Sequence, residues 1–238
     1  MRWTVLLAMI DKDWRYLCRN GSALFTFGIE IVFFSVFIFV AAGSWESVWA
    51  LQGLYLTPAV IAGSLFMCWM DVEVRIASAL HMYMRSVCEF LLVKLVIMVV
   101  VTSVLCGLVA LLLQMFVLDA SGWLFATRLL ILFVGCLLQC LLCLVIGSNF
   151  GPLEAKFTGE DATASLWLQG LYWVSMIPVL LLLWALELAA TASTSAVLSW
   201  GISLTEASMW AAALLSIFFI AAILPLLARG AKRIADCS

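Results

Sequence analysis

The chain has 238 residues, of which 66% are apolar and only 11% are charged, and its net charge is −2. A soluble domain is about half apolar and about a quarter charged, so this composition excludes an ordinary water-soluble globular protein. We expect residues 1–238 to form a single membrane domain. No basic domain or long basic run is present, which argues against a nucleic-acid partner.

Uncharged apolar stretches recur along the chain at the length that a bilayer requires, since a helix needs about 20 apolar residues to cross the hydrocarbon core. The stretches are continuously apolar and not alternating, which predicts helices and not the strands of a barrel. The predicted fold is therefore all-α, a polytopic membrane protein with six transmembrane helices. These spans are predicted at residues 22–42, 49–70, 91–117, 125–149, 166–188 and 207–228.

Two charged segments do not fit a span. Residues 4–17 mix apolar residues with charges, which predicts a helix lying at the inner membrane interface. The charges of this interfacial helix are Lys12, Asp13 and Arg15. Residues 71–89 are too polar for a bilayer, and their apolar residues recur at helical spacing, which predicts a cytoplasmic amphipathic helix. The polar residues of this segment are Asp71, Glu73, Arg75, His81 and Arg85.

The basic residues predict how the chain is oriented. With both termini in the cytoplasm, Arg128 is the only one of the 12 lysines and arginines on the outer side. Lysine and arginine concentrate in the cytoplasmic connections of membrane proteins, so this bias favours an even number of spans with both ends inside. The outer connections are predicted to carry acids instead, namely Glu46, Asp119, Glu187 and Glu206.

Sequence motifs for catalysis are missing. The chain has no G-x-x-x-x-G-K-[ST] phosphate loop, so we expect it not to bind ATP in that way. It has one histidine, His81, which excludes a site built from several histidines. That histidine is a haem or metal ligand or, as we favour, a half-exposed residue at a protein contact. We expect a chain that is not an enzyme and that binds no metal.

Glu30 is the one acid that falls well inside a predicted span. Ionisable residues inside a membrane are costly and often functional, so Glu30 is a candidate polar contact on a substrate path. Alternatively, a protonated Glu30 bonds to a neighbouring helix, or its carboxyl group reaches interfacial water. A single acid does not define a pathway, so a hydrogen bond to a neighbouring helix or contact with interfacial water is the favoured interpretation.

Three cysteines share one face of the fourth predicted span. Cys136, Cys140 and Cys143 are spaced i, i+4 and i+7. They form either a thiolate site for a metal or haem, or a stripe of small residues that lets two helices approach. Buried cysteine behaves as a small apolar residue, and no second cluster of ligands is visible, so the packing interpretation is favoured.

The order of these parts resembles the permease subunit of ABC-2 type transporters. An interfacial helix comes first, followed by two spans, a charged cytoplasmic helix and four more spans. Within that group the chain is most similar to the haem exporter protein B family of cytochrome c maturation. The run Lys12-Asp13-Trp14-Arg15 resembles the opening of that family, and Glu73 and Arg75 stand where it has acidic and basic coupling residues. Ile177-Pro178-Val179-Leu180 resembles its fifth span.

The resemblance implies a homodimer in the bacterial inner membrane that works with a separate ABC ATPase. ATP would be bound by that partner, and haem is possible in the complex, together with other membrane proteins of cytochrome c maturation. The charged residues of segment 71–89 would then couple this chain to the ATPase. A general exporter of lipid, peptide or drug, and a membrane scaffold that transports nothing, remain the alternatives.

Overall fold

The computed structural model describes residues 53–63, 87–116, 122–150, 161–191 and 204–236, with the isolated positions Leu7, Ile10, Asp11, Arg15, Gly28 and Val32. All of these residues are helical, as the composition predicts. The helices are α1 (Gly53–Gly63), α2 (Val87–Phe116), α3 (Gly122–Phe150), α4 (Asp161–Thr191) and α5 (Leu204–Asp236).

Four of the described helices are long and apolar enough to cross a membrane. The qualifying stretches are Leu91–Met115, Leu124–Asn149, Gly170–Ala189 and Trp210–Lys232. Each overlaps one of the last four predicted spans, because uncharged runs of this length form helices in lipid. The protein is therefore a multi-pass membrane protein. Helix α1 lies inside the second predicted span, and most of the first, at 22–42, lies outside the described residues.

Several helices extend beyond the spans that hydropathy predicts. Helix α2 already begins at Val87, so the last residues of segment 71–89 belong to this long helix. Helix α5 continues to Asp236, past the predicted end at residue 228. Backbone hydrogen bonds do not depend on apolar side chains, and Lys232 and Arg233 favour the negative end of the helix dipole. Hydropathy therefore underestimates the length of these two helices.

Consecutive helices alternate in direction. Thr102 of α2 meets Cys140 of α3, whereas Cys106, one turn further along α2, meets Cys136, one turn earlier in α3. This pairing makes α2 and α3 antiparallel. Arg128 near the start of α3 meets Glu187 near the end of α4, so that pair is antiparallel as well. The alternation is what short connections between successive spans require.

Helix α3 forms the centre of the described bundle. It packs on α2, α4 and α5, and 56% of its membrane-crossing stretch is buried, against 18% for α5. Gly135 of α3 explains one close approach, since a Cβ there would lie 2.8 Å from Cδ1 of Leu183 on α4. Small residues at such points allow membrane helices to pack by direct van der Waals contact.

The outer face of α2 is apolar and exposed. Large side chains recur every four residues along this face, at Leu92, Val96, Val100, Val104 and Leu108. Residues at this spacing lie one above another on a helix. A continuous apolar face of this kind would be unfavourable in water, but it matches the hydrocarbon of a bilayer.

Candidate functional site

A buried ion pair joins α3 and α4 at one end of the described bundle. Nε of Arg128, near the start of α3, lies 3.0 Å from Oε1 of Glu187, near the end of α4. The two side chains are only 11% and 10% exposed. Removing charges from water is costly, so buried charges persist when they are paired with each other and hydrogen-bonded. The pair therefore ties α3 to α4 at this end.

Tyr55 connects a third helix to the same carboxylate. Its hydroxyl group, on α1, donates a hydrogen bond to Oε2 of Glu187. Both carboxylate oxygens thus accept from a different helix, and hydrogen bonds to a charged group are about twice as strong as neutral ones. We call Tyr55, Arg128 and Glu187 the ion-pair triad. It joins α1, α3 and α4 at what the basic-residue bias predicts to be the outer side of the membrane.

The sequence singled out two members of the triad, Arg128 and Glu187, but not Tyr55, and it did not reveal that they form a site. Glu187 was expected in an outer connection, and Arg128 was the single basic residue expected outside. The structure places both inside helices, since α4 continues to Thr191 and α3 begins at Gly122. Opposite charges near facing ends of adjacent predicted spans are the signal that could have identified the pair.

The cysteine face of α3 is buried against other helices. The thiol of Cys140 donates to Oγ1 of Thr102 on α2, and that of Cys143 donates to the carbonyl oxygen of Ala62 on α1, each over 3.6 Å. Cys136 is likewise fully buried. Within the described ranges, no three histidine, cysteine or acidic side chains converge as a metal site would require. These contacts are the ones that the packing interpretation predicts.

A buried amide lies beside this cysteine face. Gln139 of α3 is completely buried, and its Oε1 lies 3.5 Å from the hydroxyl group of Tyr172 on α4. That hydroxyl group also donates to the carbonyl oxygen of Ala59 on α1, over 2.5 Å. Nε2 of Gln139 has no hydrogen-bond partner among the residues that the structure describes. Since buried donors are nearly always paired, this group is a candidate contact for another part of the chain or for a bound molecule.

The opposite end of the bundle is held by polar contacts between α3 and α5. Nδ2 of Asn149 donates to the carbonyl oxygen of Leu226 over 2.8 Å. A Cβ on Gly230 would lie 2.6 Å from Cβ of Ser148, so the two backbones meet where only glycine fits. Arg229 and Lys232 are exposed at this end, and Lys94 is buried.

Most of the functional residues that the sequence predicts are not among those that the structure describes. Lys12, Asp13, Glu30 and the five polar residues of segment 71–89 lie outside the described residues. Arg15 is described, and its Nη2 lies 2.8 Å from Oδ2 of Asp11, one helical turn earlier. The coupling and interfacial assignments therefore stay predictions.

A scan of protein-family models and searches of curated proteins and of solved structures each find no match to this chain.

Proposed function

We propose that this chain is the membrane subunit of an ABC transporter complex that works with a separate ATPase in a bacterial inner membrane. The observation that carries the proposal is the junction between segment 71–89 and α2. That segment is charged and predicted to be cytoplasmic, and α2 begins within it, at Val87. Residues 87–89 of the segment belong to α2, and a continuous helix is stiff, so force applied to these residues would reach the membrane through α2.

The contacts of α2 suggest where such a force would go. Thr102 and Cys106 of α2 meet the cysteine face of α3, and α3 carries Arg128 at its far end. A path of packed helices thus leads from the charged segment to the ion-pair triad. Packed interfaces tend to switch between discrete arrangements and not to deform gradually. A movement at the ATPase side would in this way reach the helices that the ion-pair triad joins.

Haem is the cargo that the sequence resemblance favours, since that family acts in cytochrome c maturation. The described helices offer buried thiols and a buried amide, but these side chains already contact neighbouring helices. We therefore place any haem in the assembled complex and not on these buried groups of the described helices. Export of lipid, peptide or drug, and a scaffold role without transport, are the competing functions that an experiment must separate.

The test is purification of the tagged chain from its native membrane in mild detergent, followed by an ATPase assay and a haem absorption spectrum. A paired charge reversal, Glu73→Lys with Arg75→Glu, should abolish association with the ATPase while membrane insertion is retained. The matched control reverses two charges at the end of α5, Arg233→Glu with Asp236→Lys, and should keep the ATPase bound.

The outcomes separate the functions. ATPase activity with a haem spectrum supports haem handling, and activity without haem supports another cargo. A stable complex that contains no ATPase would indicate a scaffold. Full association and activity of the Glu73 and Arg75 double variant would contradict the proposed coupling.

A further inference from the structure

One stripe of residues on α3 contacts both α1 and α4. Its members follow one another at intervals of four, three and four residues, which places them on one face of the helix. They are Arg128, Leu132, Gly135 and Gln139. Arg128 belongs to the ion-pair triad, and Gly135 meets side chains of both α1 and α4. Gln139 lies beside Tyr172 of α4. The stripe is therefore the floor of a seam that α1 and α4 cover.

Polar contacts hold the seam at two levels. At one end, the ion-pair triad joins α1, α3 and α4. Deeper in the bundle, the hydroxyl group of Tyr172 on α4 donates to the carbonyl oxygen of Ala59 on α1 over 2.5 Å. The same hydroxyl group lies 3.5 Å from Oε1 of Gln139 on α3. We call these contacts of Tyr172 the tyrosine anchor. All three helices thus take part in both the triad and the anchor.

In α1 a proline separates the two levels. Pro58 lies between Tyr55 of the triad and Ala59 of the tyrosine anchor. Proline has no N–H to donate to the carbonyl group four residues earlier, which weakens a helix and allows it to bend. That carbonyl group belongs to Leu54, and the hydroxyl group of Thr57 donates to it over 2.6 Å in place of the backbone. The part of α1 that carries Tyr55 can therefore bend without disturbing the anchor.

Helix α4 repeats this arrangement. Pro178 lies inside the helix, six residues after Tyr172 of the tyrosine anchor and nine residues before Glu187 of the triad. The carbonyl group of Val174 consequently has no N–H of residue 178 from which to accept a hydrogen bond. Both helices that cover the stripe thus have a point of easier bending between the triad and the anchor.

We propose that the ion-pair triad is a releasable latch. When the triad separates, the parts of α1 and α4 beyond their prolines move away from α3, while the tyrosine anchor stays closed. Charged groups suit this role, because Arg128 and Glu187 regain hydration as they separate, which offsets the lost contact. Opening also brings water to Nε2 of Gln139, which has no hydrogen-bond partner among the described residues when the seam is closed. The latch requires no ATPase and no cargo, so it does not depend on the proposed function.

The test measures how fast a buried thiol in the seam reacts with N-ethylmaleimide, using the purified full-length chain in mild detergent without a partner protein. Leu132→Cys is the reporter, because Leu132 is 2% exposed and lies on α3 between the triad and the tyrosine anchor. Mass spectrometry separates its labelling from that of the native cysteines. Ile131→Cys, at a neighbouring position that is 4% exposed, replaces the first reporter if that variant does not fold. The reporter is combined in turn with Tyr55→Phe and with Tyr172→Phe.

Tyr55→Phe should speed labelling of the reporter about 10- to 100-fold, because it removes a hydrogen bond to a charged acceptor that is broken when the latch opens. Tyr172→Phe is the matched control and should leave the rate unchanged, because the tyrosine anchor stays closed. Faster labelling in both variants would overturn the proposal, since the thiol would then be reached by unfolding of the whole bundle. A rate that Tyr55→Phe does not increase would overturn it as well.

Discussion

The two ends of the described bundle differ in how much charge they expose. At one end, Arg128 and Glu187 are buried, paired and joined by Tyr55, so three helices are tied together. At the other end, Arg229 and Lys232 are exposed, whereas Lys94 is buried. The first arrangement neutralises charge inside the protein, whereas the second leaves positive charge available to the membrane. The first end is thus held together by buried charge, whereas the second presents positive charge on the surface of the described helices.

The largest loss of stability is expected at the end that carries the ion-pair triad. Arg128→Ala leaves the carboxylate of Glu187 buried without its cation, and breaking a buried pair in this way costs about 3–5 kcal/mol. Unfolding in detergent, followed by circular dichroism, measures the loss. Replacing Arg128 and Glu187 together by methionine should recover most of it, because no charge remains unpaired. An exposed control, Arg229→Ala, should stay within about 0.5 kcal/mol of wild type. Equal effects of Arg128→Ala and Arg229→Ala would contradict the comparison.

A smaller loss is expected when the tyrosine of the triad is changed. Tyr55→Phe removes a hydrogen bond to a charged acceptor, which contributes about 1.5–3 kcal/mol. Tyr172→Phe is the matched control, since its hydroxyl group donates to neutral oxygens, the carbonyl of Ala59 and Oε1 of Gln139. We expect that control to lose about 1 kcal/mol in the same unfolding measurement. If Tyr172→Phe lost more than Tyr55→Phe, the triad would not be the stronger tie.

The end of the bundle opposite the ion-pair triad should lose stability when a single methyl group is added at the α3–α5 contact. Gly230→Ala places a Cβ against Ser148, and overpacking of this kind costs about 1–3 kcal/mol. Gly107→Ala is the control, because a Cβ there would meet nothing within 4 Å. Alanine favours helix over glycine by about 0.5–1 kcal/mol, so the control should be neutral or stabilised. Equal stability of the two variants would argue against the close approach.

The smallest effect is expected between the two ends. Cys140→Ala removes a buried sulfur that contacts Thr102, and we expect a loss of about 1 kcal/mol, as for an ordinary packing residue. Metal analysis of the purified protein provides the second readout. If the wild-type chain carried a stoichiometric metal that Cys140→Ala lost, the packing interpretation of the cysteine face would be wrong.

The sequence predicted the positions of the four long apolar helices. The last four predicted spans overlap the four long apolar helices, because in lipid an uncharged run of sufficient length has no other stable structure. The alternating direction of α2, α3 and α4 also follows from short connections. These features depend on local composition, which one sequence displays directly.

The contacts between helices could not be predicted in the same way. Arg128 and Glu187 are 59 positions apart, and hydropathy carries no information on how each helix is rotated. Gly230 illustrates the same limit, since nothing in its own segment indicates that Ser148 lies against it. Cys136, Cys140 and Cys143 were easier, because their spacing alone places them on one face. Rotation and partner choice are set by packing over the whole bundle.

The side of the membrane on which each end of the bundle lies is the central prediction, and thiol labelling tests it most directly. Gly122→Cys places a thiol at the start of α3, near the ion-pair triad, and Lys232→Cys places one at the opposite end. A membrane-impermeant maleimide is applied to intact cells, with the wild-type chain reporting background from its own cysteines. We predict that Gly122→Cys is labelled in intact cells and that Lys232→Cys is labelled only after permeabilisation. Labelling of Lys232→Cys from outside, with Gly122→Cys protected, would contradict it.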